Sequence, residues 1–308
     1  MTEVNGSETM LGLSRFWRFL GKPLHDQSRS LYVRWKRLLP GVPFPIRLPF
    51  GAWWIARDDY LGSTLTYDGF ERAERAFVQR FLKPGMTVID VGAHHGFYTL
   101  LMSKCVRESG RVFAFEPSPR ERKRLVFHTR LNRCTNVGIQ KWALGSEETD
   151  ACLHVVKGVQ TGFNSLRPPA VSGETYPVSV HVVRLDDWLA KQAIGHVDFM
   201  KIDVEGGELD VLKGAQLLLE RRPRPLVLGE VQDPRTIPWG YRAKDIIENL
   251  GKKGYTWFYL LTDGSVEELN SSCDDFDGNF LACPEESLPE LEKLRRSAPL
   301  SATGAVNG

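Results

Sequence analysis

Apolar residues recur along this chain at two periods, and their alternation predicts the architecture. From residue 87 onward, short runs rich in Val, Ile and Phe are separated by longer segments of helical period. Strands are expected over 87–91, 111–116, 137–142, 197–202 and 225–229, with helices over 97–106, 118–131, 207–219 and 242–252. Further strands over 255–260 and 279–283 complete the set. The run Val88, Ile89, Val91 has no polar alternation, as a strand covered on both faces requires. Strands alternating with helices predict an α/β, doubly wound, mostly parallel sheet. Two stretches, 151–156 and 177–183, instead alternate apolar and polar residues. They read as a strand pair inserted before the fourth core strand, joined by a loop over 158–173.

The region before residue 69 has a different character. Residues 10–20 and 31–39 interleave Trp, Phe and Tyr with Arg and Lys, and the segment from Arg15 to Arg37 carries seven basic residues against Asp26 alone. Prolines punctuate 40–45 as a linker. A small hairpin is expected over 48–55 with a turn near Asp58 and Asp59, then an amphipathic helix over 69–82. The expected organisation is a basic, Trp-rich N-terminal extension with a hairpin (1–68), a catalytic domain (69–296) and a disordered tail (297–308) rich in Ala, Ser and Gly.

Candidate chemistry gathers at the carboxyl ends of the core strands, where open α/β sheets bind ligands. After the first strand, Gly92 allows a sharp turn and Gly96 allows a close approach to the following helix. A dinucleotide site would place a third glycine between them, and this chain has His94 there. Asp90 precedes the turn, where a carboxylate repels a phosphate and attracts an ammonium group. Glu116 ends the second strand about 20 residues on, a position suited to ribose hydroxyls. These features favour S-adenosylmethionine over NAD as the ligand. Asp203 and Glu205 add two more carboxylates at the tip of the fourth strand.

Length and composition narrow the options further. The chain has 308 residues, 42% hydrophobic content and a net charge of +2, enough for a sizeable core and too little basic surface elsewhere for nucleic acid as the main partner. Cys105, Cys134, Cys152, Cys273 and Cys283 are scattered with no zinc spacing, as reduced thiols of a cytoplasmic protein would be. No signal peptide or transmembrane run is evident, and the Trp-rich basic segment leaves peripheral contact with an inner membrane surface as a further expectation. Oligomeric state has no signature in the sequence.

The segments Val88-Ile-Asp-Val-Gly-Ala-x-x-Gly-x-Tyr-Thr99, Phe113-Ala-Phe-Glu-Pro-x-Pro119, Ala143-Leu-Gly145 and Met200-Lys-Ile-Asp-Val-Glu-Gly206, continuing to Ala215, resemble the FkbM-type methyltransferases. The resemblance implies a class I (Rossmann-like) S-adenosylmethionine-dependent fold, with a seven-stranded sheet whose last strand is antiparallel. It implies that Asp90 faces the methionine amino group, that Gly92, Ala93, His94 and Gly96 wrap the methionyl part, and that Glu116 takes the ribose hydroxyls. Trp142 and Ala143 would line the adenine, Tyr98 would cover the site, and Asp203 would complete it. The family usually has Asn where this chain has His94.

The implied reaction is in-line methyl transfer to a hydroxyl of a small metabolite, sugar or glycan. An alcohol is a poor nucleophile, so a base within reach would contribute about 10²–10⁴-fold. Asp203, Glu205 and His94 are the leading candidates, with His95 and His181 behind them. No metal is expected, because Asp203 lacks an adjacent Asp-Asn pair to complete a cation site. Residues 162–166, within the inserted loop, are an acceptor-side candidate. Two competing readings are an NAD(P)-dependent oxidoreductase and a non-catalytic module that binds S-adenosylmethionine or a membrane.

Overall fold

The computed structural model describes residues 17–66, 69–169, 173–269 and 276–295. The chain divides into two compact units, Met1–Phe70 and Glu71–Gly308. Most of the expected N-terminal helix over 10–20, the expected tail over 297–308 and Cys273 lie outside the described residues.

The first unit contains the helix Leu24–Leu38, strands β1 (Phe44–Arg47) and β2 (Trp53–Ala56), and the helix Tyr60–Thr66. The two strands pair antiparallel, with Pro45 opposite Ile55. The hairpin therefore starts earlier than its sequence suggests and takes in the end of the presumed linker. A two-stranded ribbon is all edge, so Pro45 can sit in β1 with its missing N–H directed away from the partner. The turn falls at Leu48–Ala52, closed by the Leu48 amide on the Ala52 carbonyl at 2.8 Å. Asp59 does not turn the hairpin. Its Oδ1 accepts from the Gly62 amide at 2.7 Å and so caps the helix that follows.

The second unit is built on an eight-stranded sheet. Its strands are β3 (Thr87–Val91), β4 (Arg111–Phe115), β5 (Val137–Gln140), β9 (Phe199–Ile202), β10 (Leu226–Gln232), β11 (Tyr255–Leu260), β12 (Val266–Glu268) and β13 (Asp277–Pro284). A separate three-stranded sheet holds β6 (Ala143–Leu144), β7 (Thr149–Val156) and β8 (Thr175–Val183). The main sheet has the order β12-β11-β13-β10-β9-β3-β4-β5. Strands β5, β4, β3, β9 and β10 run parallel, and β13, the last strand of the chain, is antiparallel between β10 and β11. The seven expected strands are present in the expected directions. The eighth, β12, is a short edge strand antiparallel to β11. Its sequence, Val266-Glu-Glu, is too short and polar to show a period.

Every residue of β3 is buried, so its apolar run is explained by cover on both faces. The helix Phe97–Val106 lies beside it and is buried over nearly its whole surface, which is why it shows little amphipathic contrast. The helix expected over 207–219 is instead two, Glu208–Lys213 and Gln216–Glu220. At the break, a Cβ on Gly214 would sit 2.0 Å from the Gly145 carbonyl oxygen. The second piece starts where Asp186 accepts the amides of Leu217 and Leu218, at 2.9 and 3.1 Å. Asp186 belongs to the helix Leu185–Lys191, whose apolar Leu185, Trp188 and Leu189 follow the i, i+3, i+4 rule.

Candidate functional site

The β3 turn is stitched to the end of β4. The amides of Gly92 and Ala93 both donate to the Phe115 carbonyl at 3.0 Å. Gly92 has φ +82°, and a Cβ there would lie 1.8 Å from the Asp203 carbonyl oxygen. Only glycine lets the β3 turn and the β9 tip approach so closely. Two residues on, His94 takes a left-handed φ of +49°. This is the position a dinucleotide fold gives to glycine, and here the strain is accepted by a residue with a Cβ. The conformation aims the His94 amide at Glu116, whose Oε2 accepts it at 2.7 Å. The other oxygen, Oε1, accepts the Ser118 amide at 2.8 Å. Burial pushes the Glu116 carboxyl up to about 8, with the nearby Glu121 adding to the rise and the two amides opposing it.

The tip of β9 carries the second group. Lys201 is buried, and its Nζ donates to Asp203 Oδ2 at 2.7 Å. Burial alone would lower its pKa, but the charges of Asp203, Glu71 and Asp90 outweigh that and leave it above the ordinary value. Glu205 is left-handed, with φ +58°, and Gly206 follows with φ +101°. A Cβ on Gly206 would lie 2.2 Å from the Arg235 carbonyl oxygen. This kink turns the Glu205 side chain toward Arg235, whose Nε lies 3.1 Å from Glu205 Oε2. Its carbonyl accepts from Ser165 Oγ at 2.9 Å and from Trp239 Nε1 at 3.3 Å. Burial and the neighbouring Asp203 charge hold the Glu205 carboxyl above the usual range.

These two groups face one cavity of about 320 Å³, within the size range of small-ligand sites. Gly92, His94, Glu116, Trp142, Ala143, Asp203 and Glu205 border it. The loop between β7 and β8 contributes Thr161, Gly162, Asn164, Ser165, Leu166 and Arg167, all of the 162–166 segment singled out from sequence except Phe163, and Trp239 also borders the cavity.

Asp90, Ala93, Gly96 and Tyr98 do not border that cavity. Asp90 is buried, and its Oδ2 accepts from Thr99 Oγ1 at 2.5 Å. Burial raises its pKa to about 6 against the pull of Lys201 and Thr99. Tyr98 is buried too, with the Lys201 ammonium 4.6 Å from its ring centre. The tight packing at Gly96 comes from Leu125, 2.6 Å from a built Cβ, and not from the crevice.

The histidines separate clearly. His94 Nε2 is 3.1 Å from Thr161 Oγ1, linking the glycine turn to the inserted loop. His95 stacks on it with ring centres 3.6 Å apart, but is itself buried and pushed far below its ordinary pKa by that burial and by the neighbouring His94 and Arg124. His181 lies on β8 and binds Asp150 and Glu148, whose hydrogen bonds raise its pKa. It is outside the cavity wall.

Sequence reasoning passed over Arg235, Trp239, Thr161 and Glu230. Arg235 and Trp239 stand in the stretch Asp233-Pro-Arg-Thr-Ile-Pro-Trp239, which has neither strand nor long-helix periodicity and gives no signal. Glu230 interrupts an otherwise apolar strand, and that polar break was readable. Among the described residues, two clusters bring potential metal-ligand atoms within 4.8 Å of one another: Asp203 with Glu205 and Glu230, and His94 with His95 and Glu121. Burial, followed by the charges of Asp203, Glu205 and Glu208, holds the Glu230 carboxyl above its usual range.

Among the described residues no helix is long and apolar enough to cross a membrane. The chain is 30% identical over 143 residues to Methyltransferase 1 of Beauveria bassiana, covering 41% of this chain and 57% of that protein. It is 24% identical over 162 residues to the 2-O-methyltransferase NoeI of Sinorhizobium fredii, covering 49% and 65% respectively. The match thus spans less than two thirds of either relative. An FkbM methyltransferase structure from Methylobacillus flagellatus aligns over 73% of this chain and 55% of its own, at 16% identity and a TM-score of 0.40. The profile of the methyltransferase FkbM domain matches residues 90–256, more than half of the sequence, and the chain belongs to that family.

Proposed function

We propose that this chain is an S-adenosylmethionine-dependent O-methyltransferase acting on a hydroxyl of a small metabolite, sugar or glycan. One observation carries the reading: Glu116 and the Asp203–Glu205 pair, from the tips of two different strands, face a single cavity across the Gly92 turn. NoeI, by its name a 2-O-methyltransferase, supports oxygen as the acceptor atom.

The residues present fit the cofactor. A carboxylate offers about four lone-pair positions, and the two backbone amides on Glu116 use two of them. The remainder can accept both hydroxyls of a ribose. The absent side chain at Gly92 leaves main chain exposed along the wall, and Trp142 and Ala143 supply an apolar border suited to adenine. Asp90 would act from behind by holding the turn, as its bond to Thr99 and distance from the cavity wall suggest. Ala93, Gly96 and Tyr98 would serve in the same indirect way.

Bound S-adenosylmethionine supplies an electrophilic methyl carbon and departs as a neutral thioether. The chain's part is to hold the acceptor oxygen in line and to take its proton. Asp203, pinned by Lys201, would accept a hydrogen bond from the hydroxyl and fix its direction. Glu205, whose carboxyl is held closer to neutrality, would take the proton as the new O–C bond forms. His94 would hold the acceptor loop through Thr161. Lys201 and Arg235 already supply positive charge to Asp203 and Glu205, so a divalent cation is not required.

Titration calorimetry with S-adenosylhomocysteine tests the cofactor, and absence of binding overturns the reading. Mass spectrometry of extracts incubated with methyl-labelled S-adenosylmethionine then identifies the acceptor. A label found only on nitrogen, carbon or sulfur would overturn O-methylation.

A further inference from the structure

The helix Leu24–Leu38 leaves apolar residues in solvent in a regular order. Leu24, Leu31 and Leu38 recur every seventh residue and are 69%, 44% and 78% exposed. Seven residues are close to two turns and advance about 10.5 Å, so the three leucines form one stripe about 21 Å long. Leu39 and Val42, beyond the helix end, are exposed as well. About 100° round the helix from Leu31, Tyr32 is buried and donates to the Arg57 carbonyl at 3.0 Å.

Exposed cations flank the stripe. Arg34 lies three residues after Leu31 and four before Leu38, and so neighbours both on the helix surface. Arg34, Arg37 and Lys22 are all exposed. Over residues 17–66 of this unit the sequence carries eight Lys and Arg residues against three carboxylates, Asp26, Asp58 and Asp59. Isolated exposed leucines need no explanation, but three in register along one helix line, interleaved with Arg34 and flanked by further cations, do.

We propose that this face seats on an anionic phospholipid surface, with the leucines at the acyl boundary and the arginines among the headgroups. Charge decides against the other occupants. A second copy packed on the same face would set Arg34 and Arg37 against their own like. A nucleic acid would satisfy the cations but leave the leucine stripe in water. This surface is independent of the methyl-transfer reading.

Co-sedimentation of the full chain with phosphatidylglycerol–phosphatidylcholine vesicles and with pure phosphatidylcholine vesicles tests it. The expected result is partition onto the anionic vesicles at least about tenfold stronger than onto neutral ones, weakening as salt screens the charges. Leu31→Asp with Leu38→Asp should reduce that partition about tenfold or more, and Arg34→Glu with Arg37→Glu should remove the preference for anionic lipid. Circular dichroism and thermal unfolding, unchanged from the wild type, would show that each variant is folded. Absence of sedimentation with anionic vesicles overturns the proposal, as does equal sedimentation of wild type and the leucine variant. A dimer lost in the leucine variant, or retention on RNA, without vesicle binding would do the same.

Discussion

The amide of His94 donates to Glu116 Oε2 at 2.7 Å, tying a left-handed residue of the β3 turn to the carboxylate at the tip of β4. With Ser118 on the other oxygen, the pair fixes the Glu116 side chain before any ligand arrives. Glu116→Gln offers one carbonyl oxygen where two amides need acceptors, so one buried N–H loses its partner. That loss costs about 1–3 kcal/mol. The expected outcome is a lower urea midpoint together with S-adenosylhomocysteine binding weakened at least tenfold by calorimetry. Unchanged affinity would remove Glu116 from the ribose site.

Gly92→Ala should be worse than an ordinary glycine replacement. The new methyl would meet the Asp203 carbonyl oxygen at 1.8 Å, so β3 and β9 must separate where both site halves are anchored. Strain of this kind, added to the left-handed φ, is expected to cost about 2 kcal/mol or more. Thermal unfolding reads the stability change, and calorimetry should show that cofactor affinity falls with it. A variant with wild-type melting and affinity would contradict the close approach.

Much of this frame was legible because its physics is local. β3 and β9 are buried at every residue, so their composition alone marks them, and glycine turns with acidic strand tips mark the crevice. What was not legible depends on tertiary encounter. Nothing in Asp233-Pro-Arg-Thr-Ile-Pro-Trp239 announces that its Arg and Trp close over Glu205, because the reason lies in the crowding at Gly206. Asp90 and Tyr98 sit near the turn in sequence, yet the pleat and the helix direct them behind the wall, toward Lys201 and Thr99. Proximity along the chain identified the neighbourhood and not the face. The hairpin takes in the end of the proline-punctuated segment because a ribbon edge tolerates Pro45.

Stability of the ligand-free chain should fall between pH 6.5 and 8.5. Glu116 has its pKa raised from 4.5 to about 8 by burial, so the folded state holds a proton that the unfolded state has released throughout this window. Its contribution is fully present below the ordinary carboxylate pKa and is lost as pH rises through about 8. His95 acts in the opposite sense, because burial lowers its pKa from 6.5, but that effect is confined to more acidic solutions. The Glu116 share of the change from pH 6.5 to 8 is about 2 kcal/mol by linkage. Glu205 and Glu230, whose carboxyls burial also raises, add to the fall; urea unfolding at the two ends of the window measures the total, and Glu116→Gln should make the fall shallower. A wild-type chain more stable at pH 8.5 than at 6.5 would refute the assignment.

Removal of divalent metal should leave turnover unchanged. Asp203, Glu205 and Glu230 bring carboxylate oxygens within 4.8 Å of one another, which by itself would suit a cation. Two of the three already have resident partners, with Lys201 Nζ 2.7 Å from Asp203 and Arg235 Nε 3.1 Å from Glu205. The expected rate after EDTA dialysis is within about twofold of the untreated enzyme, whereas Lys201→Met should abolish it. Lys201 is buried and Asp203 only partly so, and removing the ammonium takes a counter-charge from Asp203, Asp90 and Glu71 together. Activity lost to EDTA and restored by magnesium would assign the three carboxylates to a metal.

The pH dependence of the reaction distinguishes the roles proposed for Asp203 and Glu205. Glu205 must be ionised to take the acceptor's proton, and burial together with the Asp203 charge raises its pKa. The rate with saturating substrates should therefore rise with pH and level off well above the usual carboxylate range. Glu205→Gln should lower kcat by about 10²–10⁴-fold, abolish that rise, and leave S-adenosylhomocysteine affinity close to wild type. Asp203→Asn keeps a hydrogen-bond acceptor for the hydroxyl but removes the charge that raises Glu205. Its rise should shift toward lower pH, with a smaller loss of kcat. An Asp203→Asn profile that stays in place, with the larger loss of rate, would exchange the two roles.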